Sequence, residues 1–140
     1  MQQSMQISLL CSTGHKEENM IFINSPFTIL DEAFRGLYPD KKYKACIEPS
    51  MKDDEGNRVF GFTQFSKGET PVIAISAELS IMDATEIFAH ELAHVAAGEG
   101  VGHGEGWDEE FQKIFDEYNR IGRERFGEDG KEIETAPEYR

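Results

Sequence analysis

From Phe27 to Leu37 the apolar positions Ile29, Leu30, Ala33, Phe34 and Leu37 recur at helical spacing, which predicts a helix buried on one face and closed by Pro39. Short runs then predict strands: Lys44 to Glu48, Arg58 to Phe65 and Pro71 to Ser76. The second of these alternates, with Val59, Gly61, Thr63 and Phe65 set against Phe60, Phe62 and Gln64. Between the first two strands, Lys52-Asp53-Asp54-Glu55-Gly56-Asn57 reads as a solvated hairpin tip, and its acids lack the loop spacing of a calcium hand. The apolar runs Gln6 to Cys11 and Met20 to Asn24 fit either strand or terminal coil.

The stretch from Met82 to Ala97 contains no Gly or Pro, has Asp83 or Ser80 to cap its start, and ends at Gly98. A glycine-alternating loop, Gly98 to Gly106, follows. Beyond it Trp107, Phe111, Ile114, Tyr118 and Ile121 form one apolar stripe, and Asp108, Glu109 and Glu110 load the first turn with the charge that a helix N-terminus favours. The expected fold is α+β: a helix, a small twisted sheet of three or four strands, then two helices. Residues 1–126 read as a single domain and 127–140 as a polar, loosely ordered tail holding Pro137.

The first of the two C-terminal helices carries His90-Glu91-Leu92-Ala93-His94. At about 100° per residue, the two histidines point within roughly 40° of each other and stand roughly 6 Å apart along the axis. Their imidazoles can grip one ion. Ala84, Phe88, Leu92 and Val95 fall on the opposite side, so the helix has an apolar back. Glu91 lies on the flank of the histidine face, where a carboxylate that does not ligate a metal can serve as general base. A histidine pair alone at this spacing is more often a surface or core feature, and Glu91 turns the reading toward a metal.

His103 is the candidate third ligand. It lies four residues before Trp107, at the head of the inward stripe, among glycines that give it no packing role. Glu99, Glu105, Glu109 and Glu110 are also in reach, with Glu109 or Glu110 the runner-up. Three protein ligands leave one position of a zinc ion for water.

These residues resemble a family. The HExxH run, His103-Gly104 and the aromatic Trp107 opening an apolar helix are similar to the active-site half of minimal zincin metallopeptidases, especially SprT-like and related small zincins. The segment Pro71 to Ser76, Leu79 and Ala84 to Ala89 resembles the strand, link and helix entry of those proteins, so the likeness spans roughly Val72 to Ile121. It implies one Zn2+ per chain on His90, His94 and His103, Glu91 as catalytic base, peptide-bond hydrolysis, and a substrate extended along the strand at Ile73 to Ser76. A metzincin would want histidine where Gly100 stands, and SprT proper is associated with a zinc ribbon and DNA contact. Neither feature is found, since Cys11 and Cys46 form no CxxC pair.

Charge and composition narrow the reading. With 14 basic and 27 acidic side chains the 140-residue chain has a formal charge of −13, which opposes a phosphate backbone, so no nucleic-acid partner is expected. The expected partner is a peptide or protein substrate. No stretch is long enough to span a bilayer, the segment Met5 to Cys11 lacks the basic start of a secretion signal, and Leu10 stands where a lipoprotein site before Cys11 needs a small residue. Two distant cysteines are no disulfide framework, so a reducing cytoplasm is the default. Two other classes compete: a zinc-holding module that binds a peptide without cutting it, which has no need of Glu91, and an amide hydrolase of the deformylase kind, whose cysteine ligand neither Cys11 nor Cys46 is placed to supply. Tyr43, Tyr118, His15 and Arg123 are equal candidates for an oxyanion donor.

Overall fold

The computed structural model describes residues 22–135, with side chains through residue 127. The elements run α1 (Pro26–Leu37), β1 (Lys44–Glu48), β2 (Gly61–Gln64), β3 (Val72–Ser76), α2 (Ile81–Ala97) and α3 (Glu105–Thr135). This is an α+β domain of three helices and one small mixed sheet, the arrangement expected of a small zincin-like domain. The predicted run 6–11, with Cys11 and His15, lies outside the described residues; of the run 20–24, residues 22–24 form no strand, and Phe22 and Ile23 are exposed.

Local chemistry fixes the helix ends. Pro26 occupies the first turn of α1, where its missing N–H costs nothing, and the Tyr38 N–H closes the other end on the Phe34 carbonyl at 2.8 Å. Of the two caps considered for α2, Ser80 is the one used: its hydroxyl accepts the Asp83 N–H at 3.0 Å. Gly98 ends that helix at φ 103, a backbone conformation that L side chains rarely adopt.

The strand order is β1-β3-β2, with β1 parallel and β2 antiparallel to β3. Ile73, Ala74 and Ile75 are all buried, as a strand covered on both faces requires. β1 and β2 do not pair with each other. The acidic turn closes only a local loop, with a Lys52–Arg58 bridge and an Asp53 carboxylate that accepts the Glu55 and Asn57 N–H groups at 2.9 Å. The expected second strand, Arg58 to Phe65, shortens to Gly61–Gln64 because its first residues belong to that loop.

The core brings Leu30 and Phe34 of α1, Ile73 and Ile75 of β3, Phe88 and Leu92 of α2, and Ile114 of α3 into one cluster. A second cluster joins Ile29 and Ala33 to Ile121. Thus α2 is gripped between the sheet and α3, which gives the histidine pair a rigid mount. The helical backbone of α3 continues past Ile121 to Thr135, broken at Gly127 (φ 22, ψ −111). No described helix is long and apolar enough to cross a membrane.

Candidate metal centre

α2 sets His90 and His94 one turn apart with ring centroids 5.1 Å from each other. Positive φ at Gly98 and Gly100 turns the chain back after the helix, and His103 returns to the pair just before α3 begins. Its Nε2 stands 3.0 Å from Nε2 of His94 and 3.0 Å from Nε2 of His90. An imidazole nitrogen carries either one proton or one lone pair, so His103 can serve only one of these neighbours well. A cation among the three resolves the conflict. Three nitrogens each about 2.0–2.1 Å from a tetrahedral zinc would stand about 3.3 Å apart, within a few tenths of an ångström of the separations here. The donor set therefore fits the ion that the sequence suggested.

Among the described residues no carboxylate joins this group. Glu110, half of the runner-up pair, takes a hydrogen bond from the Tyr38 hydroxyl and faces Lys113 Nζ at 3.6 Å, while Glu109, Glu99 and Glu105 are exposed. The structure brings His103 to the pair and leaves the acids outside.

Trp107, in the first turn of α3, backs the cluster. Its ring lies 4.7 Å from that of His90 and 5.0 Å from that of His103, its Nε1–H donates to the His90 carbonyl at 3.2 Å, and its far face stacks on Phe111 at 5.2 Å. Burial holds His90 and His94 below the ordinary imidazole range, with the neighbouring histidines adding to the effect. Neutral imidazole is the form that binds metal.

Glu91 is only 5% exposed, so it sits deeper than a flank position on an open face would suggest. Its Oε1 accepts the Thr63 hydroxyl at 2.7 Å. Burial raises its pKa, opposed by the Thr63 hydrogen bond and by His103. An open cleft of about 300 Å³ runs between Gly61, Phe62, Thr63 and Phe65 on one side and His90, Glu91, His94 and His103 on the other. The strand bordering it is β2. That corrects the expectation that Ile73 to Ser76 forms the substrate edge: β3 is hydrogen-bonded on both sides, and a strand with both ladders filled cannot receive another chain.

Sequence reasoning missed Thr63, whose alternation with Gly61 and Phe65 gave its face without naming the partner of that face. It placed Trp107 in the stripe but not against the histidines, although the four-residue step from His103 was the available signal. Of the oxyanion candidates, Tyr43 gives its hydroxyl to Asp31 and packs on Phe34 and Phe88, Tyr118 lines a different groove beside Phe115, and Arg123 is exposed on α3; none of these borders the cleft.

Comparison with known protein families finds no matching family model, and comparison with curated proteins finds no match. Among solved structures the chain is similar to the crystal structure of the metallopeptidase zymogen of Pyrococcus abyssi abylysin, at 21% identity and a TM-score of 0.46, over 75% of this chain and 95% of that one.

Proposed function

We propose that this chain is a zinc-dependent peptidase that cuts peptide bonds with His90, His94 and His103 as metal ligands and Glu91 as general base. One observation carries the reading: three Nε2 atoms converge in a cleft whose wall also holds a buried carboxylate. Zinc on three imidazoles supplies Lewis acidity, acidifying water and polarising a carbonyl. Glu91 accepts the proton of the attacking water and returns it to the leaving amine, so that the nitrogen departs neutral. Burial suits it to both steps, since a raised pKa brings a carboxylate closer to the pH at which it must both take and give a proton. Residues 61–64 offer a strand edge that, among the described residues, pairs only with β3, and an extended peptide can lie along it. Phe62 and Phe65 give the cleft apolar walls, and the net charge of −13 favours neutral or basic peptides over acidic ones.

The test is Glu91→Gln, which keeps the size of the side chain and removes its basicity. The variant is expected to retain about one zinc per chain and to lose about 10²- to 10⁴-fold in kcat on a diverse peptide set. Equal cleavage by both proteins would remove Glu91 from the mechanism. Absence of metal-dependent cleavage by the wild type would leave the binding-only reading, which the same zinc measurement would support.

A further inference from the structure

Glu91 is placed awkwardly for a base. Its helix neighbours one turn away are Ile87 and Phe88 on one side and His94 and Val95 on the other, and only the histidine among them is polar. A buried carboxylate on such a helix face has to find its donor on another element. The donor it finds is the Thr63 hydroxyl on β2, 2.7 Å from Oε1, with the Glu91 carbonyl at a longer 3.3 Å from the same oxygen. A hydroxyl has one proton to give, and the shorter contact, to a carboxylate, is the stronger. Thr63 is itself well anchored: it faces Ile73 in the antiparallel ladder, and a β-branched side chain has little freedom at χ1.

Two residues earlier on the same strand face stands Gly61. A Cβ there would lie 3.4 Å from Glu91 Oε2, an ordinary van der Waals contact, so the second carboxylate oxygen reaches the strand at Gly61. One oxygen is tied to Thr63, and the other ends beside Gly61, where both residues line the cleft.

We infer that Thr63 is a positioning residue for the site: from the edge strand, outside the metal helix, its hydroxyl orients the Glu91 carboxylate so that Oε2 is the oxygen left to handle the proton. The inference rests on the peptidase reading and adds a requirement that the metal ligands do not contain. It couples β2, the strand bordering the cleft, to the base.

The experiment compares the wild type, Thr63→Val and Thr63→Ser, each alone and with Glu91→Gln, as purified full-length protein. Thr63→Val keeps the shape and removes the donor. It is expected to hold the same zinc per chain, to leave KM near the wild-type value and to lower kcat by about 10- to 100-fold, the scale of a modest misplacement of a reacting group. Thr63→Ser should recover most of that loss. With Glu91→Gln present, Thr63→Val should have little further effect on the residual rate, because the group it orients no longer accepts protons. A second readout is independent of turnover: Thr63→Val should lower the urea midpoint, and most of that shift should vanish in a Glu91→Ala background.

Wild-type kcat in Thr63→Val, failure of serine to rescue, loss of zinc in Thr63→Val, or an equal fall in kcat with Glu91→Gln present would each overturn the positioning role while leaving the peptidase reading intact. A wild type that shows no metal-dependent hydrolysis would overturn both.

Discussion

At the scale of single residues, the centre sets two opposed titrations side by side. Burial lowers the pKa values of His90 and His94 from 6.5, so the folded metal-free chain binds fewer protons than the unfolded chain in the window just below 6.5, and these groups make stability rise with pH there. Glu91 acts in the other direction. Its pKa is raised from 4.5, so in the window just above 4.5 the folded chain holds a proton that the unfolded chain has released, and stability falls as pH rises. In the metal-free protein, Glu91→Gln is therefore expected to make stability climb more steeply between pH 4.5 and 6.5, as urea midpoints measured across that range would show. An unchanged slope would mean that the carboxyl titrates as it does in water. The histidine pair was legible because both residues lie on one helix, where spacing alone dictates direction. The Thr63–Glu91 contact was not, because it joins positions 28 apart through sheet and helix packing, and no local period records it.

At the scale of elements, the helices were read closely and the sheet less so. The limits of α1 and α2 follow from Pro26, Ser80 and Gly98, residues whose backbone and capping preferences act within a few positions of themselves. Strand order has no such local author. β3 becomes the centre because Val72 to Ile75 are all apolar, and only the assembled sheet shows that the edge beside the histidines is β2. The closeness of β2 to α2 is set by Gly61, where a Cβ would come within 2.4 Å of Ile87 Cγ2. Gly61→Ala is accordingly expected to destabilise the fold by about 1–3 kcal/mol, the usual penalty for overpacking. Trimming the neighbour should relieve it. In a urea-unfolding cycle the penalty of Gly61→Ala should shrink in an Ile87→Ala background, and strictly additive effects would show that the strand does not meet the helix there.

For the whole molecule, the separation of core from site would govern how the protein responds to losing a bound ion. The main core, from Phe34 through Ile73 to Leu92 and Ile114, contains none of the three histidines, so removal of the proposed zinc should leave the sheet and the packed helices in place. The three histidines are themselves divided. Two ride on α2, inside that packed frame, and the third hangs on a glycine-hinged loop that reaches back to them. A bond from a bound ion to His103 would act as a clasp on residues 98–104, holding shut a short glycine-rich segment, at a cost in chain entropy that is regained when the clasp opens. Chelation should then produce sub-global opening without unfolding. Amide hydrogen exchange is expected to accelerate across the loop and the first turn of α3, through Trp107, while the amides of β3 keep their protection. Uniform acceleration over the whole chain would show instead that the ion is a keystone of the fold. With a clasp of this kind, the same event that empties the centre also exposes a glycine-rich segment to proteases, so metal supply would set the lifetime of the protein as well as its activity.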